Sequence, residues 1–357
     1  MEIINKPVLT EDLKFSILMP TYNGSKWVRQ TINSILRQSY SNFELIISDD
    51  CSTDNTLDIV KKYKDNRIKI FKNDVNFGYP GNLEKARMLS SMDSDILYLM
   101  GQDDILAKDA LLKTYKAFKI GEEIGVVSRA YYHFTGNNFQ AGNRNSAKPI
   151  SSETITIINS FDDFIKENNS KKDEEILSYT TLISSIGQLS GLSYRKCCID
   201  IPFHKDIFVS HIYPFLSILK KYKAVYLNDY IVAVRIESSQ CIHVSSIYKV
   251  SPLKSWVDMF NNIFNDKKYD NLRKILINDS SKKIEGILQI KNFGQTKYYY
   301  REILLYIKYR PENLISIRFW TYTLGSLVMP KRLLIKIIGY YKNNILAKGM
   351  KNVKIKY

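Results

Sequence analysis

Two pairs of adjacent carboxylates are the side chains of this 357-residue sequence that best suit chemistry. Asp49-Asp50 and Asp103-Asp104 each follow an apolar run, and neighbouring carboxylates repel each other unless a cation or hydrogen-bond donors compensate. Thr21-Tyr22-Asn23 follows a third apolar run that ends at Pro20. Gln102-Asp103-Asp104 would also serve as a helix N-cap with an acidic first turn. Three polar clusters after three apolar runs favour a ligand site over three separate caps.

The elements that position these clusters alternate between strand and helix. Short apolar runs at 15–20, 43–48, 68–71 and 94–100 are typical of buried strands, and the segments between them repeat apolar residues at helical spacing. This alternation predicts an α/β domain whose parallel sheet has helices on both faces. Ligands bind outside the carboxyl ends of the strands in such sheets. We therefore expect the three clusters to meet at one edge.

The usual backbone cradles for phosphate groups do not occur in the sequence. The turn after the first strand, at 20–25, has no Gly-x-Gly-x-x-Gly pattern, and no Gly-Lys-Ser/Thr loop follows elsewhere. Recognition of a nucleotide through side chains and a divalent metal remains, because Mg²⁺ and Mn²⁺ prefer carboxylate and phosphate oxygens.

Four motifs, in order along residues 14–130, resemble the nucleotide-binding half of glycosyltransferase family 2, whose members have the GT-A fold. They are Pro20-Thr21-Tyr22-Asn23, the segment 47–54 with Asp49-Asp50, Asn76-Phe77-Gly78 with Gly81-Asn82, and Gln102-Asp103-Asp104. The resemblance implies an α/β GT-A fold with a mixed, mostly parallel sheet and flanking helices. It places a domain at 1–250, with its nucleotide-binding half at about 14–130 and its acceptor half at about 131–250. Apolar residues at helical spacing predict a helical, basic extension over 251–357.

The resemblance also implies a role for each matching residue. Asp50 would hydrogen-bond the base, which suits the N–H of a uracil or thymine ring and favours UDP or dTDP sugars as donors. Asp103 would contact the ribose, and Asp104 would ligate a Mn²⁺ or Mg²⁺ ion that bridges the diphosphate. A departing nucleoside diphosphate develops negative charge, which a metal stabilises. The other implied donor-binding residues are Pro20, Thr21, Tyr22, Asn23, Asn82, Gln102 and Arg235, and His243 is a second candidate metal ligand.

The general base expected of an inverting member of this family is missing from its usual place. Such a base takes the proton from the acceptor hydroxyl, and family members usually carry an acidic residue for it at the start of a helix. No Asp or Glu lies between Ile207 and Asn228. His211 occupies the expected position, and its ordinary pKa of about 6.5 suits proton abstraction. Asp206 is the competing candidate, and a packed or capping histidine is the structural alternative.

The carboxyl-terminal region carries a concentrated positive charge. The chain has a net charge of +16, and residues 313–357 contain nine Lys and Arg residues without any Asp or Glu. The segment 331–346 reads as a basic amphipathic helix with Leu334, Ile337, Ile338, Tyr341 and Ile345 on one face. Such a helix suits an anionic membrane surface, or it packs on the domain with its charges solvated. No nucleic-acid-binding signature occurs, so we expect no nucleic acid partner.

The family resemblance and the basic tail together imply a metal-dependent, inverting glycosyltransferase of bacterial surface polysaccharide biosynthesis. Its donor would be a nucleotide sugar, and its acceptor a polyprenyl-diphosphate-linked glycan. Four cysteines without a disulfide framework and an amino terminus without a secretion signal predict a cytoplasmic protein, and the basic tail predicts a peripheral place on the inner face of the cytoplasmic membrane. The alternative, prompted by the missing carboxylate, is a non-catalytic sugar-nucleotide-binding or scaffolding protein.

Overall fold

The computed structural model describes residues 12–136, 147–166, 172–238, 244–341 and 354–357. Within these residues nine strands form one sheet. The strands are β1 (Phe15–Thr21), β2 (Phe43–Asp49), β3 (Ile68–Lys72), β4 (Ile96–Leu99), β5 (Ile105–Leu106), β6 (Ile124–Phe134), β7 (Ile155–Ile158), β8 (Ser193–Arg195) and β9 (Lys223–Arg235).

The first half of the sheet is parallel. Its strand order is β3-β2-β1-β4, and every neighbouring pair in this half runs in the same direction. Thr21 pairs with Asp49, and Asp49 pairs with Lys72, so these strands end level with one another. Leu99 of β4 aligns with Leu18 of β1. The carboxyl ends of the strands therefore bring the polar clusters to one edge, as the sequence predicts.

The second half of the sheet is mixed. The order continues β8-β6-β9-β5, with β7 also paired to β9. β6 and β9 are parallel, whereas β8 is antiparallel to both β4 and β6, and β5 and β7 are antiparallel to β9. The two apolar runs at 224–227 and 231–235 form the single long strand β9. The predicted mixed sheet is thus present, and its parallel pairs are concentrated in the half that carries the carboxylate pairs.

Helices cover both faces of this sheet and continue beyond it. Because side chains alternate along a strand, Ile17 and Ile47 enter the apolar core on one face and Leu18 and Ile46 that on the other. The helices are α1 (Val28–Leu36), α2 (Thr56–Val60), α3 (Gly78–Met88), α4 (Ala110–Phe118), α5 (Phe161–Lys166), α6 (Lys172–Ser185), α7 (Ile212–Lys221), α8 (Pro252–Ile263), α9 (Asp270–Lys282), α10 (Glu285–Phe293), α11 (Thr296–Tyr309), α12 (Ile317–Val328) and α13 (Lys331–Tyr341).

The carboxyl-terminal region is helical, as the sequence predicts, and it is joined to the sheet domain by packing. α8 places Met259 and Phe260 in the core beneath the sheet, together with Leu216 of α7. α10, α11 and α12 share a separate cluster that includes Ile287 and Phe319. None of the helices in the described part of the chain is both long and apolar enough to cross a bilayer.

The last helix buries only part of its predicted apolar face. Leu334 of α13 is buried, whereas Ile337 and Tyr341 are about half exposed, and Ile345 lies outside the described residues. Of the predicted face, α13 therefore buries Leu334 and leaves Ile337 and Tyr341 half exposed, and the choice between packing and membrane contact stays a prediction. Beyond the next undescribed segment, Ile355 is buried and its N–H donates to the Tyr132 hydroxyl at 3.0 Å.

Candidate active site

The turn after β1 is held by the loop after β2. The N–H of Asn23 donates to Ser52 Oγ at 2.9 Å, and the N–H of Thr53 donates to Asn23 Oδ1 at 2.8 Å. Asn23 has φ of 48°, a left-handed conformation that asparagine tolerates better than most residues. Asp49 accepts hydrogen bonds from the N–H and hydroxyl of Ser52, so its carboxylate has the role of a turn residue. Thr21 is buried beside it.

Asp50 lies at the centre of a buried polar cluster. Its Oδ1 accepts hydrogen bonds from Asn73 Nδ2 and from the N–H of Phe77, each at 2.9 Å. Asn82 lies in the same cluster, where its Oδ1 accepts from Asn73 and its Nδ2 donates to the carbonyl groups of Thr21 and Ser48. Asn82 therefore ties α3 to the ends of β1 and β2, and it acts on the site by holding this backbone in place. Its contact with a ribose or diphosphate stays a prediction.

Gln102 clamps the turn after β1 to the turn after β4. Its Nε2 donates to the carbonyl of Tyr22 at 2.9 Å, and its Oε1 accepts from the N–H of Tyr22 at 3.0 Å. A Cβ atom on Gly24 would lie 2.2 Å from Gln102 Oε1, so the clamp requires glycine there. The Tyr22 ring is 44% exposed and is thus free to meet a ligand. Pro20 is a buried residue of β1.

The two carboxylates after β4 have different environments. Asp104 is buried, and its Oδ2 accepts hydrogen bonds from Ser190 Oγ at 2.5 Å and Gln188 Nε2 at 3.1 Å. Its Oδ1 accepts from the N–H of Arg235 at 2.8 Å. Asp103 is only partly buried. A fixed inner carboxylate and a more accessible outer one therefore stand side by side.

Arg235 supports this turn from within the fold. Its guanidinium is buried between the rings of Trp27 and Phe134, at 3.8 and 4.5 Å from their centroids. Its Nε donates to the carbonyl of Asp103, and its Nη2 donates to Gln30 Oε1. This enclosed position gives Arg235 a positioning role. The predicted contact between Arg235 and a diphosphate has no support from these contacts.

The carboxylate pair fits a divalent cation. Burial raises the pKa of Asp103, and burial together with the charge of Asp103 raises the pKa of Asp104 to about 7. A bound cation would compensate this unfavourable charge. In the part of the chain that the structure describes, no group of three His, Cys, Asp or Glu side chains could hold a metal alone. One or two carboxylates are sufficient, however, where substrate phosphates supply the other ligands. His243 lies outside the described residues.

His211 is poorly suited to act as a general base. Its ring is buried, Nδ1 accepts from the Tyr79 hydroxyl at 2.8 Å, and Nε2 donates to the Ile186 carbonyl at 2.9 Å. Burial lowers its pKa to about 4. Both nitrogens are therefore occupied, and the ring joins α3 to the start of α7 as a packed histidine, the structural alternative that the sequence left open.

Asp206 keeps a more accessible carboxylate. It is partly buried, its Oδ1 accepts from the N–H of Phe208 at 2.9 Å, and its Oδ2 accepts from the Ser255 hydroxyl at 2.7 Å. The side chain also lines a cavity of about 320 Å³ with Lys254 and Arg301. Of the two candidate bases, Asp206 is the one that lies next to an open space.

Three residues that are not among the predicted site residues hold Asp104, directly or through the turn that carries its donors. Ser190 and Gln188 donate to its carboxylate, and the fully buried Arg129 donates to the carbonyl groups of Ser185 and Gln188. Arg129 thereby fixes the 185–191 turn, which fixes Asp104. Gln188 and Ser190 lie more than eighty residues from Asp104 in the chain, so their hydrogen bonds to it have no signal in local spacing.

Residues 16–181 match the family described as "Glycosyl transferase family 2". The match begins in β1 and includes both carboxylate pairs, whose geometry is given above. The chain contains a family 2 glycosyltransferase domain. The resemblance inferred from the four motifs is therefore confirmed.

Two curated relatives share part of this domain. Poly(ribitol-phosphate) beta-N-acetylglucosaminyltransferase TarS of Staphylococcus aureus is 34% identical over 102 residues, which are 28% of this chain and 18% of TarS. UDP-Glc:alpha-D-GlcNAc-diphosphoundecaprenol beta-1,3-glucosyltransferase WfgD of Escherichia coli is 30% identical over 129 residues, 33% of this chain and 51% of WfgD. The alignments thus span about half of WfgD at most and less than a fifth of TarS.

Solved structures show the same fold over most of the chain. A Staphylococcus aureus TarS fragment in complex with UDP has a TM-score of 0.57 at 18% identity, covering 92% of this chain and 89% of that one. The mannosyltransferase PcManGT of Pyrobaculum calidifontis, in complex with GDP-Man and Mn²⁺, has a TM-score of 0.50 at 13% identity, covering 92% and 87%. The predicted GT-A fold with a helical carboxyl-terminal region is confirmed.

Proposed function

We propose that this protein is a metal-dependent, inverting glycosyltransferase that uses a UDP or dTDP sugar. The observation that carries the proposal is the carboxylate pair at the edge of the parallel strands, where partly exposed Asp103 adjoins buried Asp104. Asp50 lies at the same edge, where it would hydrogen-bond the uracil or thymine ring of the nucleotide. The UDP complex of the TarS fragment supports a uridine donor, because that protein shares the fold.

In the proposed reaction an acceptor hydroxyl oxygen attacks the anomeric carbon of the donor sugar. The bond from that carbon to the diphosphate oxygen breaks, and a base takes the hydroxyl proton. Asp104 would hold a Mn²⁺ or Mg²⁺ ion, which stabilises the negative charge of the departing diphosphate when it is bound, and Asp103 would contact the ribose. We propose Asp206 as the base, since His211 has no free ring nitrogen.

The proposed acceptor is a lipid-linked glycan at the cytoplasmic face of the membrane. The name of WfgD specifies a diphosphoundecaprenol-linked sugar as the acceptor of that protein. The basic carboxyl-terminal region of this chain agrees with a place beside anionic lipid. A bacterial surface polysaccharide is the product class that we propose.

Donor binding tests the proposal. We expect UDP-glucose or UDP-GlcNAc with Mn²⁺ to raise the thermal midpoint of the full chain, since a ligand that binds only the native state stabilises it. Asp104→Asn should weaken this binding by at least about tenfold, because substitutions at a metal site commonly lower metal affinity by about that factor or more. Asparagine can keep the hydrogen bonds to Arg235 and Ser190, so the variant should fold.

Asp58→Asn is the matched control, because Asp58 is an exposed carboxylate on α2. It should bind the donor as the unaltered chain does. If no nucleotide sugar shifts the midpoint with or without Mn²⁺, the proposed donor site is wrong. If donor binds but labelled sugar never reaches a lipid extract or water, the non-catalytic sugar-nucleotide-binding protein is the better description.

A further inference from the structure

Helix α12 has its aliphatic side chains on the outside. Its buried residues are Phe319, Thr323 and Ser326, and two of these three carry hydroxyl groups. The Tyr299 hydroxyl donates to the carbonyl of Thr323 at 2.7 Å and lies 2.9 Å from Ser326 Oγ. The hydroxyl groups of Thr323 and Ser326 thus lie on the inner face of the helix, and its four aliphatic side chains lie on the outer face. This is the reverse of the usual arrangement for a helix on the surface of a soluble domain.

The outer side of α12 and its flanks form an exposed apolar patch, which we call the terminal apolar surface. Ile315, Ile317 and Val328 are more than four-fifths exposed, and a shallow depression of about 460 Å³ lies between Ile315, Ile317 and Leu324. Apolar patches of this kind mark sites where a protein meets a partner or a membrane. The terminal apolar surface consists of Ile315, Ile317, Leu324, Leu327 and Val328.

Positive charge borders this surface without compensation. Lys331, Arg332 and Lys336 of α13 are exposed, and none of them forms an ion pair within the described ranges. The chain has no Asp or Glu from residue 313 to its end. Two copies of the chain that met through this face would bring their cations together, which opposes self-association. An anionic lipid surface supplies both the apolar layer and the negative charge.

We propose that the terminal apolar surface inserts into the headgroup region of an anionic membrane, with Lys331, Arg332 and Lys336 at the lipid phosphates. The inference deepens the lipid-linked acceptor of the proposed function, although it rests on the exposure and charge of α12 and α13 alone. It extends the membrane contact expected of the last helix to a surface that is centred on α12. A peripheral contact of this kind would bring the domain to acceptors held in the bilayer.

Co-sedimentation of the full chain with vesicles tests this surface. The vesicles contain phosphatidylglycerol and phosphatidylcholine, with pure phosphatidylcholine for comparison. The triple variant I315S/I317S/V328S should partition at least about tenfold less, because it removes apolar area that would be buried in the lipid. The double variant R332Q/K336Q should partition about thirty-fold less at low salt, since each cation near an anionic surface contributes a factor of about five.

Exposed residues elsewhere supply matched controls. Val75→Ser with Met92→Ser removes exposed apolar side chains, and Lys61→Gln with Lys62→Gln removes exposed charge. Both controls should partition like the unaltered chain. Equal partitioning of test and control variants would overturn the proposal. So would a triple variant that abolishes self-association in the ultracentrifuge while vesicle binding stays unchanged, because the surface would then join two copies.

Donor binding in the absence of vesicles separates this proposal from the proposed function. The residues of the terminal apolar surface lie outside the contacts that hold Asp103 and Asp104. We therefore expect all four variants to bind UDP-glucose with Mn²⁺ like the unaltered chain. A chain that binds vesicles but no nucleotide sugar would retain the membrane surface and reject the transferase.

Discussion

The two carboxylates of the Asp103-Asp104 pair are distinguished by their hydrogen bonds. Asp104 is fixed by Ser190, Gln188 and the N–H of Arg235, while Asp103 stays partly exposed. Burial raises the pKa of both, and mutual repulsion raises that of Asp104 further. Such a pair is poised for a cation, because bound positive charge relieves the repulsion without a change in the fold.

His211 offers a test at the residue scale. In His211→Gln, the glutamine amide can still donate to the Ile186 carbonyl, as His211 Nε2 does. We expect the variant to keep donor turnover within about threefold, because a histidine whose pKa is about 4 and whose nitrogens are bonded contributes little as a base. Asp206→Asn should lower sugar transfer by about a hundredfold or more and leave donor binding intact. A large loss in His211→Gln alone would restore the histidine as the base.

The same residue makes stability depend on pH. The pKa of His211 is lowered from 6.5 to about 4 in the folded chain, so the unfolded chain binds more protons between these values. Stability should therefore be full above about pH 6.5 and fall as the pH drops toward 4. The contribution of His211 to this loss should be about 2 to 3 kcal/mol near pH 4.5, and urea unfolding of His211→Gln should show a correspondingly smaller loss.

The 185–191 turn is the element that links the two halves of the sheet at the site. It receives Arg129 from β6 and donates to Asp104 after β4. Gly191 permits this close packing, since its φ is +87° and a Cβ there would lie 2.7 Å from Val232 and 2.9 Å from Arg129 Nε. A side chain at this position would meet both backbone strain and a steric clash.

Gly191→Ala should lower the free energy of unfolding by about 2 to 4 kcal/mol. Gly325→Ala is the matched control. Gly325 lies in α12, no atom is within 4 Å of its would-be Cβ, and alanine in a helix should stabilise by up to about 1 kcal/mol. Urea denaturation of both variants measures the difference. Equal stability of the two would show that the turn has room to relax.

The end of the chain returns to the sheet domain at the scale of the whole molecule. Ile355 belongs to the same apolar core as Tyr132, and the N–H of Lys108 donates to the Lys356 carbonyl at 2.7 Å. The last residues thus pack on the domain, whereas α12 and α13 expose apolar side chains. Packing on the domain therefore holds for these last residues, whereas membrane contact is what we propose for α12 and α13.

Ile355→Ala should lower the free energy of unfolding by about 2 kcal/mol or more, as expected for a buried aliphatic side chain. Lys354→Ala, at an exposed neighbouring position, should leave it within about 0.5 kcal/mol. Urea denaturation gives both values. Vesicle binding should not change in Ile355→Ala, and a loss of binding there would mean that the return of the chain also orients the terminal apolar surface.

The sequence by itself determined the alternating strands and helices, the edge at which Thr21, Asp50 and Asp104 meet, and the glycosyltransferase family. Local hydrophobic periodicity and short motifs carry that information, because each depends on neighbours in the chain. The tertiary structure decided what each side chain contacts. It enclosed Arg235 between two rings, occupied both nitrogens of His211 and gave Asp104 its donors from a turn more than eighty residues away.

The carboxyl-terminal helices show the same division. Composition revealed their charge and apolar content, but not which face of each helix is buried. Tyr299 forms hydrogen bonds with the Thr323 carbonyl and with Ser326 on the inner face of α12. The aliphatic side chains of this helix lie on its outer face. Long-range contacts of this kind have no signature in local spacing. The fold and the family therefore follow from local patterns in the sequence. The exposed and buried faces depend on long-range contacts, which only the tertiary structure shows.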